Sequence, residues 1–128
     1  MTGGEVLPRQ KFQTLTEQMF YILLCLQTER YGYELYDCIA EMTDKRVAVS
    51  SGTLYTLLDQ FIEAGMIRVI NTQERKHSYV LTDIGRRKLK KEYDRLKAQI
   101  ADYHKTFGCP AAELLLKKSI KKDDGPQK

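Results

Sequence analysis

With 128 residues, 42% of them hydrophobic and 30% charged, the chain has the size of one small domain and enough apolar content for a core. A formal charge of +4 is compatible with a nucleic-acid partner without requiring one. No run of about 18 apolar residues occurs and residues 1–13 lack the apolar stretch of a signal peptide, so a cytoplasmic protein with no membrane span is expected.

Residues 1–13 read as a flexible N-terminal arm carrying Arg9 and Lys11. A first helix is expected from near Thr14, which has capping-box spacing to Glu17, to near Thr28. Leu15, Met19, Ile22, Leu23 and Leu26 form its stripe, and Phe20, Tyr21 and Leu24 make it apolar nearly all round. Such a helix needs cover on two sides, its own core and a second subunit.

Tyr31-Gly32-Tyr33-Glu34-Leu35 opens a second helix, with Gly32 in the cap region and Glu34 complementing the dipole of the first turn. Leu35, Ile39 and Met42 are its expected buried face, and Asp44-Lys45-Arg46 is a polar turn. The third helix has both ends marked: Ser50 or Ser51 caps it, and Gly65 can take the left-handed conformation past its last turn. Leu54, Leu57, Leu58, Phe61 and Ile62 fall on one stripe, whereas Gly52, Thr53, Thr56, Asp59 and Gln60 fall opposite. That outward face is small and hydroxyl-rich near its start, which suits close approach to phosphates and base edges.

After Gly65 the period changes. Residues 66–70 and 77–81 are β-branched and aromatic, and flank the polar segment 71–76, which predicts a hairpin with a partly basic tip. Three helices followed by a hairpin predict a winged helix-turn-helix, in which the third helix enters the major groove and the wing lies on the backbone. Ser50, Ser51, Gly52, Thr53, Tyr55 and Thr56, with Arg75, Lys76 and His77 of the wing, are therefore the expected DNA-binding residues, and double-stranded DNA the expected partner.

Thr82 caps a long helix from about Asp83 to near His104. Leu89, Tyr93, Leu96, Ile100, Tyr103 and Phe107 alternate at spacings of four and three, the coiled-coil seam, and are the expected homodimer contacts. The competing reading is a stripe that folds back on its own domain. Gly108-Cys109-Pro110 breaks the helix, and 111–120 is a weak final helix before a polar tail. The expected organisation is thus a mainly α chain with a small β-hairpin: arm 1–13, winged helix-turn-helix 14–81, dimerisation helix 82–107, and weak helix and tail 108–128.

Cys25, Cys38 and Cys109 are odd in number and are not paired with His77 or His104 at metal-ligand intervals, so no disulfide framework, metal or cofactor is expected. Cys25 and Cys38 read as small buried hydrophobes, and Cys109 as the one thiol suited to redox sensing. No phosphate-binding glycine loop, zinc-protease motif or nucleophile elbow is present, so an enzyme is not expected.

Three blocks then carry a family resemblance: Gly32-Tyr33-Glu34-Leu35; Ser51-Gly52-Thr53-Leu54-Tyr55 with Leu57-Leu58 and Gly65-Met66-Ile67; and Tyr79-Val80-Leu81-Thr82-Asp83-Ile84-Gly85-Arg86. In this order, across residues 15–105, they resemble the PadR family of bacterial transcriptional regulators. The resemblance implies a homodimeric winged-helix repressor of the short-chain subfamily, commonly responsive to small aromatic or hydrophobic compounds. Thr56 and Ser51 stand where the family often has proline, which alters the face presented to DNA. The chain has no tryptophan, the residue on which some short members stack flat ligands. Tyr93 or Phe107 would take that role, and Tyr93, Leu96 and Phe20 are the expected effector contacts. A near-palindromic operator is implied, read by two recognition helices about 34 Å apart. Two other readings stand beside this one: a winged-helix protein–protein interaction module, for which Asp59 and Glu63 on the third helix speak, and a thiol-based redox sensor acting through Cys109.

Overall fold

The computed structural model describes residues 14–109. The expected arm 1–13 and the segment after Cys109 lie outside the described residues. Helix α1 runs Glu17–Cys25, strand β1 Arg30–Tyr31, helix α2 Glu34–Thr43, helix α3 Ser51–Glu63, strands β2 Ile67–Gln73 and β3 Lys76–Leu81, and helix α4 Asp83–Phe107. They fall into two compact units, one ending at Tyr93 and the other beginning at Asp94, so the boundary lies within α4.

Helix α1 begins later than its sequence predicts. The capping box is Thr16 with Met19, not Thr14 with Glu17: the Met19 amide donates to Thr16 Oγ1 at 3.2 Å, and the Thr16 amide donates to Met19 Sδ at 3.5 Å. A thioether occupies the place usually taken by Glu or Gln, which the spacing rule does not anticipate. The helix also stops at Cys25, before the expected Thr28: the Leu26 amide divides between Ile22 O and Leu23 O, and the Gln27 amide donates to Leu24 O, three residues back. Ile22, Leu23, Cys25 and Leu26 are buried, and Phe20, Tyr21 and Leu24 are partly buried against the same core.

Helix α2 has no side-chain cap. Its N-cap is Tyr33, and the Glu34 carboxylate instead reaches back to accept from the Tyr31 amide at 2.7 Å. Asp44 and Lys45, both left-handed (φ 55° and 64°), end it, with the Lys45 amide donating to Ala40 O at 2.7 Å. Left-handed backbone at two successive non-glycine residues is uncommon and makes an abrupt turn. Thr43 secures the segment that follows: buried, it donates to Ile39 O and accepts from the Val47 amide. Met42, expected on the buried face, is 48% exposed. The helix buries only the narrow stripe of Leu35, Ile39 and Thr43, and Met42 falls beyond its edge.

Helix α3 matches its predicted ends. The Ser50 hydroxyl accepts from the Thr53 amide at 3.2 Å, which settles the cap on Ser50. At the other end the Met66 amide donates to Phe61 O and the Gly65 amide to Ile62 O, with Gly65 at φ +76°, a glycine-terminated helix end. Leu54, Leu57, Leu58 and Phe61 are buried as expected, but Ile62 is 37% exposed.

The predicted hairpin is present and longer than expected. Residues 71–73 and Lys76 belong to the strands, which leaves a turn of Glu74 and Arg75 with Glu74 left-handed at φ 56°. The register shifts between Val69 and Asn71, a bulge at Ile70. A third, unpredicted strand joins it: β1 pairs antiparallel with β3, Arg30 opposite Tyr79 and Tyr31 opposite Ser78, giving the order β1-β3-β2. Ser78 is fully buried and donates to Glu29 Oε2 at 2.6 Å, tying the entrance of β1 to β3.

Thr82 joins the hairpin to α4 and uses its hydroxyl and its amide for the purpose. Its hydroxyl donates to Gly65 O at 2.6 Å and accepts from the Gly85 amide at 3.2 Å, while its own amide donates to Met66 O. The helix cap is thereby also a bond to the end of α3. In the first unit, α4 contributes Gly85, Leu89 and Glu92 to the buried set, and Tyr93 is 48% exposed. In the second, Leu96 is half-buried, and Ile100, Tyr103 and Phe107 are 58%, 57% and 73% exposed. No helix among the described residues is long and apolar enough to cross a membrane.

Candidate nucleic-acid interface

The buried stripe of α3 turns Gly52, Tyr55, Thr56, Asp59 and Glu63 outward. Gly52 stands in open space, where an added Cβ would meet no atom within 4 Å, so this point of the surface admits close approach by another backbone. Ser50 and Ser51 are exposed at the helix start. Thr53 is turned aside: it is half-buried, and its hydroxyl accepts from Ser50 Oγ at 3.1 Å. Ser50 and Thr53 thus form a cap pair, while Gly52, Tyr55 and Thr56 make the open part of the face.

Tyr55 owes its position to a glycine. An added Cβ at Gly32 would come within 2.9 Å of the Tyr55 hydroxyl and 3.0 Å of its ring, so the phenol lies directly over the Gly32 backbone. The Gly32 amide in turn donates to His77 O at 3.2 Å, which fixes that backbone to β3. Burial pushes the pKa of Tyr55 upward, with a smaller contribution from the nearby Tyr36 phenol.

Arg75, Lys76 and His77 are exposed on the wing. His77 Nδ1 lies 3.0 Å from Thr72 Oγ1 on the facing strand, and its ring meets Tyr79 edge-on at 6.3 Å. Lys76 Nζ sits 5.4 Å from the centroid of the Tyr33 ring, and Tyr33 stacks on Tyr31 at 5.7 Å with 17° between the planes. One cleft of about 280 Å³ is lined by Gly32, Tyr33, Tyr55, Asp59, Arg75, Lys76, His77 and Tyr79. Residues of α3 and of the wing, separated by some twenty positions in sequence, therefore share a single concave surface. Tyr33 and Asp59 belong to it as well. The sequence marks Tyr33 only as part of a helix start, and its signal there is the pair of tyrosines flanking Gly32.

A second cleft, of about 230 Å³ and mostly apolar, is lined by Tyr36, Ile39, Ala40, Lys45, Val47, Ala48 and Val49. Neither cleft is lined by Phe20, Tyr93 or Leu96, the expected effector contacts. Along α4, Leu89 belongs to the core of the first unit, so that position of the expected seam is covered by its own chain. Cys25 is buried, Cys38 and Cys109 are half-buried, and none of the three forms a disulfide.

Three helices, a three-stranded antiparallel sheet whose hairpin forms a wing, and a long helix after it define a winged helix-turn-helix protein. A model of the PadR-like family of transcriptional regulators matches residues 22–91, more than half of the chain. The chain belongs to that family, whose members are regulators and not enzymes. Among solved structures it is similar to a transcriptional regulator from Clostridium thermocellum, at 22% identity over 70% of this chain and 90% of that one, with a TM-score of 0.61. A PadR family regulator from Eggerthella lenta is similar at 20% identity over 84% and 90%, with a TM-score of 0.58. RosR of H. salinarum is similar at 24% identity over 86% and 93%, with a TM-score of 0.50. At these identities the likeness is one of fold. No curated protein is significantly similar to the chain.

Proposed function

We propose that the protein is a homodimeric repressor that binds a near-palindromic operator, with α3 in the major groove and the wing on the backbone. The observation that carries this reading is the single cleft onto which the Tyr55 side of α3 and the cations Arg75 and Lys76 both open. Gly52, Tyr55 and Thr56 face the bases; Ser50, Ser51 and the wing meet phosphates, and Thr53 holds the cap. Two copies related by a two-fold axis, joined through the exposed Ile100, Tyr103 and Phe107, would set half-sites about one helical turn apart. In that dimer an aromatic or hydrophobic effector meets Phe20, Tyr93 and Leu96 and releases DNA, provided it binds the two states unequally. Such a protein works in the cytoplasm, with the DNA it regulates.

The test is titration into the DNA upstream of its own coding sequence, against a shuffled duplex, at two salt concentrations. Specific binding exceeds the shuffled control by on the order of a thousandfold. Weak binding, equal on both duplexes and erased by salt, would leave only electrostatic attraction and sink the proposal. The exposed Asp59 and Glu63 on α3 favour the other reading, a protein-binding face, and that reading predicts no salt-sensitive duplex binding at all.

A further inference from the structure

We propose that Tyr33 is a positioning residue of the DNA interface, its ring holding the Lys76 ammonium at the cleft between wing and α3 for contact with a backbone phosphate. The inference rests on the nucleic-acid reading above. A lysine on an exposed hairpin end ordinarily explores many rotamers, and ordering it on binding opposes the contact. Here its Nζ lies 5.4 Å from the Tyr33 ring centroid, within the range of a cation–π attraction.

The ring is itself held. It stacks on Tyr31, which is paired through β1 with Ser78 of β3 and whose amide donates to Glu34 Oε1. Between the two tyrosines the Gly32 amide bonds to His77 O, the residue next to Lys76. Lysine and ring are thus fixed to neighbouring points of one sheet. An ammonium over a ring face keeps donors free on its other sides, so the ring orients the cation without consuming it. Tyr33 remains 52% exposed, and it lines the same cleft as Tyr55 and Arg75, where a phosphate ridge passing between helix and wing would lie.

The test uses the full chain, a labelled duplex, and the variants Tyr33→Leu, Tyr33→Phe, Lys76→Gln and the Tyr33→Leu/Lys76→Gln pair. Lys76→Gln should reduce the steepness of log Kobs against log salt by about 0.9, one phosphate contact. Tyr33→Leu should lower it in the same direction and weaken binding about two- to fivefold, the equivalent of an exposed cation–π contact. Tyr33→Phe, which keeps the ring, should match the parent, and the double variant should bind no worse than Lys76→Gln alone. In the free protein, the upfield ring-current shift of the Lys76 ε-methylene should persist in Tyr33→Phe and vanish in Tyr33→Leu. If the parent binds with a salt slope that Tyr33→Leu leaves unchanged, or if the two losses simply add, this proposal is overturned and the nucleic-acid reading stands. If the parent shows no salt-dependent binding, both fall.

Discussion

Gly32 and Tyr55 form one contact between two elements, since the missing side chain at Gly32 leaves room for a phenol from α3. The spacing around Gly32 points to a helix cap, a role confined to one element. Spacing rules act within an element, and this contact joins two of them. Burial of small apolar positions was more legible. Cys25, read as a buried hydrophobe, is 2% exposed, and burial together with the neighbouring Cys38 thiol pushes its pKa from 9.0 to about 12. The unfolded chain therefore releases a proton above pH 9 that the folded chain keeps. The contribution is fully present below pH 9 and is lost as pH rises toward 12, at up to roughly 1.4 kcal/mol per unit. Cys25→Ala should lower stability at neutral pH through the small void it leaves, and should lose about 1 kcal/mol less than the parent between pH 8 and 10. Urea midpoints at the two pH values measure this. Equal losses in both proteins would show that another group governs the alkaline limb; Tyr55 and Tyr79, also raised by burial, come into play above pH 10.

At the scale of elements, amphipathic stripes gave the helices and turn chemistry gave their ends only where one side chain does the capping. The Ser50 and Thr82 caps and the Gly65 terminus were readable because a hydroxyl or a glycine at a boundary has few other uses. The Thr16–Met19 box was not, since a thioether is a weak acceptor outside the usual signature. Strand β1 was hidden for another reason: two residues carry no period, and Arg30 and Tyr31 become a strand only because β3 lies beside them. The junction at Gly85 has a similar origin. It stands in the third family block, but its physical reason is the carbonyl of Met66, 2.2 Å from where a Cβ would be, with Leu81 Cδ1 at 2.7 Å. Backbone cannot step aside as a flexible side chain can. Gly85→Ala should therefore destabilise the chain by about 1–3 kcal/mol, the usual range for overpacking. Gly52→Ala, in open space, should cost about zero to a few tenths and even gain helix propensity. Chemical denaturation of the two variants against the parent decides the matter, and equal midpoints for Gly85→Ala and parent would mean that the start of α4 is not locked to the end of α3.

For the whole molecule the decisive question is what covers α4. Its spacing predicts one seam of six residues, and the structure divides that stripe by environment. Leu89 is buried in the core of the first unit, whereas Ile100, Tyr103 and Phe107 in the second unit leave more than half their surface open, with Tyr103 and Phe107 in ring contact at 5.0 Å. Periodicity could not make that distinction, because heptad spacing marks an apolar face without saying whether the chain's own core or a second copy lies against it. Three large apolar side chains on one helix are a surface that water opposes, and a second copy of the same helix is self-complementary cover for it. The choice of substitution matters for the test. Leu96 is half-buried within the single chain, so a charge there would disturb the protomer itself. Ile100, 58% exposed, tolerates a carboxylate as a monomer and suffers from it only where a partner excludes water. Ile100→Asp should accordingly leave the thermal stability of dilute monomer close to the parent's while weakening self-association by at least about tenfold. Light scattering over a concentration series would follow the mass. A parent that is monomeric throughout, or a variant that dimerises as tightly as the parent, would remove α4 as the dimer contact. With it would go the fixed half-site spacing on which a near-palindromic operator depends.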